Sequence, residues 1–125
     1  MLCEVFDDNQ LAIIRKAYLS GLPRTHLEIL MYPGFTWQQM MVIETGLHEL
    51  PVDKVYRLAN PSYDVPQMLL IADGIRSGLT ADQINFLTQH KYSLSKMKII
   101  LGAFKQGVTL DDLEHFFNQN KQNFH

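Results

Sequence analysis

The feature that most constrains this chain is a period. An aromatic residue followed by a helix-capping residue recurs at Phe6-Asp7, Phe35-Thr36, Tyr63-Asp64 and Tyr92-Ser93, at offsets of 29, 28 and 29 residues. Three positions after each cap stands Gln10, Gln39, Gln67 or Lys96, and beside it Leu11, Met40, Met68 or Met97. Ile14, Ile43, Ile71 and Ile100 follow at one further turn, then the small residues Ala17, Gly46, Gly74 and Ala103. A fixed period of this length marks a repeat architecture in which each unit is one supersecondary element.

Physical chemistry accounts for these residue types at these spacings. An Asp, Thr or Ser side chain accepts a hydrogen bond from an otherwise unpaired amide of the first helical turn. A Gln three positions on reaches back to the cap residue's own amide, which makes a capping box. Lys96 has no acceptor, so the fourth unit keeps only half of the box. The aromatic before the cap and the Leu or Met at the fourth helical position are spaced as a hydrophobic staple.

Each first helix is predicted to end in a turn: Ser20-Gly21-Leu22-Pro23, Glu49-Leu50-Pro51, Ser77-Gly78-Leu79-Thr80 and Gln106-Gly107-Val108-Thr109. Glycine there supplies the left-handed conformation that terminates a helix, and the apolar residue after it folds back on the core. The second unit lacks that glycine and is one residue shorter, so a different turn is expected. Thr80 with Gln83 and Thr109 with Asp112 read as caps of second helices, and Pro23 and Pro51 hold the corresponding places. Apolar pairs three apart, Leu27/Leu30, Val55/Leu58, Ile84/Leu87 and Leu113/Phe116, give each second helix one apolar stripe. Pro33 and Pro61 end two of them.

The predicted fold is all-α: one domain over residues 1–125, with repeats at 6–34, 35–62, 63–91 and 92–121. Each repeat is a helix-turn-helix unit of 28–29 residues, and together they form a short α-solenoid or a compact stack of helical hairpins. One hairpin cannot bury its own apolar stripe, so neighbours must cover it. Beyond about Asn118 the sequence is polar, and the chain end is expected to fray.

The stretches Phe-Thr-Trp-Gln-Gln-Met-Met-Val-Ile-Glu-Thr-Gly-Leu (35–47) and Tyr-Asp-Val-Pro-Gln-Met-Leu-Leu-Ile-Ala-Asp-Gly-Ile-Arg-Ser-Gly-Leu (63–79) carry a resemblance. The chain resembles tandem α-helical repeats of uncharacterised proteins on integrative elements and phages of Firmicutes, with the pattern aromatic-x-x-x-Gln-Met-x-x-Ile-x-x-Gly-Leu. The resemblance covers nearly the whole chain and brings no functional residues. Units one and four depart from the pattern at Leu11, Ala17, Lys96 and Ala103, as terminal repeats do. It implies an accessory role on a mobile genetic element: transfer, regulation, or inhibition of a host defence system such as a CRISPR nuclease.

Composition narrows the function classes. A net charge of −2 lacks the basic excess of a duplex-binding domain, which makes nucleic acid an unlikely partner. Lys91, Lys96, Lys98 and Lys105 form a mildly basic cluster, but Asp111, Asp112 and Glu114 follow it, as on an ordinary solvated face. Cys3 is the single cysteine, which rules out an internal disulfide and a cysteine-based zinc site and suits a reducing compartment. The acidic start (Glu4, Asp7, Asp8) is not followed by a long apolar run, so neither a signal peptide nor a spanning helix is expected, and the expected location is cytoplasmic.

A search for chemistry yields no catalytic, cofactor-binding or metal-binding set. His26, His48, His90, His115 and His125 do not fall at equivalent repeat positions, and His48-Glu49 is followed by Leu-Pro-Val rather than a metalloprotease pattern. There is no glycine-rich phosphate loop and no nucleophile elbow. Acidic residues near Cys3 disfavour a thiolate. The chain therefore reads as a non-enzymatic protein.

Projection of the first helices at 100° per residue gives a buried arc containing Ile13, Ile14, Ala17 and Tyr18 in unit one and Ile99, Ile100, Ala103 and Phe104 in unit four. The opposite arc is polar in unit one (Asp8, Arg15 and Leu19 with Ala12), as a solvated face should be, but it is apolar in units two and three. Trp37 and Met41 lie on it four apart, as do Val65 and Leu69, with Leu94 and Leu101 continuing in unit four. These six residues either pack between repeats or form an apolar strip that receives a partner protein or a second copy of the chain. The function expected from sequence is protein–protein interaction. The alternatives are an inhibitor of a host defence nucleoprotein, similar to an anti-CRISPR protein, and a nucleic-acid-binding accessory factor using the Lys91–Lys105 region.

Overall fold

The computed structural model of the chain describes residues 5–88 and 92–123, with side chains described as far as Phe117. Cys3, His90, Lys91 and His125 lie outside the described residues. Eight helices are described, and no strand occurs among the described residues. They are α1 (Asp8–Leu19), α2 (Arg24–Leu30), α3 (Trp37–Glu49), α4 (Val52–Leu58), α5 (Val65–Arg76), α6 (Ala81–Thr88), α7 (Leu94–Lys105) and α8 (Leu110–Asn123). The chain is all-helical. It divides into two compact units at Ala72/Asp73, within α5.

Capping fixes where the first helices begin. Asp7, Thr36 and Ser93 are the N-caps of α1, α3 and α7, each accepting from the amide three residues on. Both halves of the capping box form at Asp7/Gln10, Thr36/Gln39 and Asp64/Gln67. Ser93 accepts from the Lys96 amide without a return bond. Phe6, Phe35 and Tyr63 are buried beside the helices they precede, and Met40, Met68 and Met97 have at most 1% of their surface exposed. Both sides of these staples therefore contribute to the core.

The turns divide by the presence of glycine. Gly21, Gly78 and Gly107 have φ of 88°, 89° and 93°, which L side chains avoid. Each closes its helix with paired bonds to the last turn, such as Gly78 N–H to the Ile75 carbonyl (3.1 Å) and Leu79 N–H to the Gly74 carbonyl (3.2 Å). At the end of α3, which lacks that glycine, Leu50 is extended instead (φ −117°, ψ 155°), with its N–H donating to the Gly46 carbonyl before Pro51 opens α4. Pro23 and Pro51 occupy the N-cap positions themselves and provide no side-chain cap. The Thr80/Gln83 box forms at α6, and Thr109 accepts from the Asp112 amide at α8.

In the first unit α1 packs on α2 and α3, and α3 packs on α2 and α4. The core there is built from Ile14, Ala17, Leu30, Met40, Ile43, Val55 and Leu58. In the second unit α6 packs on α7 and α8, around Ile84, Leu87, Met97, Ile100 and Leu113. Aromatic rings collect at the α6–α8 side: Phe86 stacks on Phe117 at 5.6 Å and meets Phe104 edge-on at 6.2 Å.

Three expectations are corrected. Tyr18 and Ile99, placed in the buried arc by projection, are 69% and 68% exposed. The buried stripe of α1 is Gln10, Ile14 and Ala17, spaced four and three, which leaves residue 18 turned 100° from Ala17 toward solvent. Finally, α8 runs to Asn123, past the expected end near Asn118. Its Gln and Lys residues are good helix formers, and an α8 begun at Leu110 is long enough to propagate through a polar tail.

Candidate functional site

Two helical faces meet across the α1–α3 seam. Asn9, Ala12, Ile13 and Lys16 recur at spacings of three and four along α1, and Trp37, Met41, Glu44 and Thr45 do so along α3. Together they line a cleft of about 300 Å³. Trp37 is the first helical residue after the Thr36 cap, so the capping box that starts α3 also sets the ring at the cleft's edge. Ala12, small and exposed, lines the cleft from α1. Trp37 is half-buried and Met41 is 50% exposed.

At one end of this cleft a carboxylate is buried. Glu44 has only 6% of its side chain exposed. Its Oε1 lies 3.1 Å from His48 Nε2, one helical turn on, and its Oε2 lies 3.6 Å from Lys16 Nζ. Burial of an unpaired charge is costly, and these two groups offset it. The Lys16 side chain is 73% exposed and stands beyond hydrogen-bonding distance, so its contribution is that of a screened surface pair.

Ser20 completes a Ser–His–carboxylate set by composition, but not by geometry. Its Oγ lies 3.1 Å from the same His48 Nε2 that faces Glu44, and it donates its own proton to the Ala17 carbonyl at 2.7 Å. A nucleophile relay needs the serine and the carboxylate on opposite ring nitrogens. Here both meet one nitrogen, which donates toward Glu44, and the arrangement ties α1 to α3.

The six residues expected to form an outer strip have different surroundings. Trp37 and Met41 share the α1–α3 cleft. Val65 is half-buried and lines a separate recess with Thr36, Gln38, Pro61 and Asp64. Leu69 is 50% exposed, and Leu94 is half-buried. Leu101 takes the packed alternative. It is 5% exposed and lies 3.4 Å from the position a Cβ would take on Gly74, which makes it core. The missing side chain at Gly74 leaves room for it and for Leu79.

Sequence reasoning missed Lys16, Glu44 and the α1 side of the cleft, because their association spans residues 28 apart and no local spacing signals it. It also missed an apolar hollow of about 270 Å³ between Ile29, Tyr32, Tyr56 and Pro61. Of the basic cluster, Lys105 Nζ pairs with Asp73 Oδ2 at 2.7 Å, and Lys96 Nζ sits 5.0 Å from the Tyr92 and Phe117 ring centres. Lys98 remains exposed. Among the described residues no group of three or more His, Cys, Asp or Glu side chains could hold a metal, and no helix is long and apolar enough to cross a membrane.

Compared with known proteins, the chain matches no family model, and neither a curated protein nor a solved structure shows significant similarity to it.

Proposed function

We propose that this chain is a non-enzymatic protein–protein interaction module that holds a partner at the Trp37–Met41 cleft. The observation that carries the reading is the cleft itself. The chain's one tryptophan and a half-exposed methionine are set one helical turn apart around an open space. Tryptophan and methionine are favoured where two proteins meet, and a tryptophan at the edge of a cleft is the usual form of an energetic anchor. Leu69, also half-exposed on α5, would extend the contact.

The scaffold belongs to the same proposal: four tandem hairpins of 28–29 residues, arranged as a short α-solenoid or hairpin stack. Support comes from the recurring capping boxes and from Gln side chains that bridge consecutive hairpins, Gln10 to the Phe35 carbonyl and Gln39 to the Tyr63 carbonyl. The resemblance to repeats of mobile elements makes an accessory protein of such an element the setting we favour. The engagement of Lys96 and Lys105 within the protein weighs against phosphate binding as the main activity.

The test is affinity capture with the wild-type chain and with Trp37→Ala/Met41→Ala, each read beside a circular-dichroism melt. Loss of a stoichiometric partner with an unchanged melt supports the reading. Retention of that partner, or a collapse of the melting temperature, overturns it.

A further inference from the structure

Resting on the reading of the α1–α3 cleft as the partner site, we propose that its occupant is a guanidinium, presented as an arginine side chain of the partner. Three features of the cleft point to that chemistry. The first is the Glu44 carboxylate, 94% buried at its side chain yet lining an open cleft. Its Oε1 is engaged by His48 at 3.1 Å, whereas its Oε2 meets Lys16 at 3.6 Å, outside hydrogen-bonding range. That oxygen keeps its acceptor capacity for a better donor.

The second is the wall. Trp37 lines the same cleft about two helical turns before Glu44, so an arginine stem can run past the indole while its guanidinium edge donates to the carboxylate. Met41, Ala12 and Ile13 supply the apolar surface along which an arginine stem packs. A space of about 300 Å³ suits one long side chain.

The third is Lys16. It is a cation held loosely at the carboxylate on a side chain 73% exposed, so it can swing into water at little cost. An incoming ammonium would only exchange one point charge for another. An incoming guanidinium presents a planar fork that gains a second hydrogen bond at the carboxylate, which makes the site selective for arginine over lysine. Lys16 thus acts as a placeholder that keeps Glu44 neutralised until the partner arrives.

The experiment uses the intact chain and its single tryptophan as reporter. N-acetyl-arginine amide is titrated while Trp37 fluorescence is followed, with the N-acetyl-lysine and N-acetyl-norleucine amides as comparisons. We expect a saturable change with the arginine probe, at least about tenfold weaker for the lysine probe. Glu44→Gln should remove the response, and Lys16→Ala should tighten it. Because Lys16 is exposed, that variant keeps the test sound if Glu44→Gln fails to fold. Equal responses to arginine and norleucine would overturn the guanidinium assignment while leaving an apolar partner site intact. No response from any probe, even in Lys16→Ala, would overturn it as well, and affinity capture would then decide the partner reading by itself.

Discussion

The side-chain amide of Gln39 joins two hairpins through the backbone of Tyr63. Its Oε1 accepts from the Thr36 amide at 2.8 Å, and its Nε2 donates to the Tyr63 carbonyl at 2.7 Å and to Pro61 at 3.2 Å. Gln10 does the same with Phe35, 25 residues ahead. One buried residue therefore caps its own helix and grips the backbone just before a later helix cap. Lys96 stands three residues after the Ser93 cap of α7, where Gln10 and Gln39 stand after theirs, and its side chain lies over aromatic rings instead.

Gln39→Glu separates the two roles. Glutamate serves the capping box as well as glutamine does, but it cannot donate to Tyr63 and would put a charge against a carbonyl. We expect a loss of about 1–3 kcal/mol, the cost of leaving a buried acceptor unsatisfied, measured by urea unfolding. A loss no larger than that of an exposed cap variant would show that the bridge adds nothing.

The glycines differ in what they tolerate. A Cβ on Gly46 would meet Leu50, Leu58 and Val55 at 3.7–3.9 Å, which is ordinary contact. Gly46→Ala should stabilise the protein by up to about 1 kcal/mol, through helix propensity. Gly78, at φ 89°, should lose about 1 kcal/mol on the same change. Paired thermal melts give the two signs directly.

Leu101 and Met41 stood together in the sequence-derived strip, and the structure separates them. Leu101→Ala empties a core position and should cost about 2–4 kcal/mol, while Met41→Ala should cost well under that. Denaturant midpoints of the two variants, with slopes compared, distinguish core from surface.

Burial raises the Tyr92 hydroxyl above its ordinary value of 10.0. The neutral form is therefore favoured in the folded state. Its contribution is fully present below the unfolded-state value and is lost as pH climbs through the folded one. Stability should fall as pH rises above about 10, and Tyr92→Phe should make that fall shallower. Urea midpoints across the alkaline range, compared between the two proteins, test the sign.

Much of the fold was legible because its signals are local. A cap and its partner three residues on, or a glycine closing a helix, can be read from a short window, and Asp7/Gln10, Thr36/Gln39 and Gly78 sit where such windows place them. The stripe was less legible: projection spread the buried arc to Tyr18 and Ile99, while packing selected a narrower seam. Least legible was the cleft. Trp37 and Met41 are visible as misplaced apolar residues, but Glu44 reads as an ordinary helix carboxylate until α1 is laid against it. The donor end of Gln39 was hidden for the same reason, since its acceptor lies 24 residues away.

What Gln39 holds is a main-chain oxygen, and every amino acid carries one. The join is thus blind to the side chain of the residue it holds, which is Phe35 for Gln10 and Tyr63 for Gln39. Side chains around it can therefore be exchanged while the fastening itself stays the same.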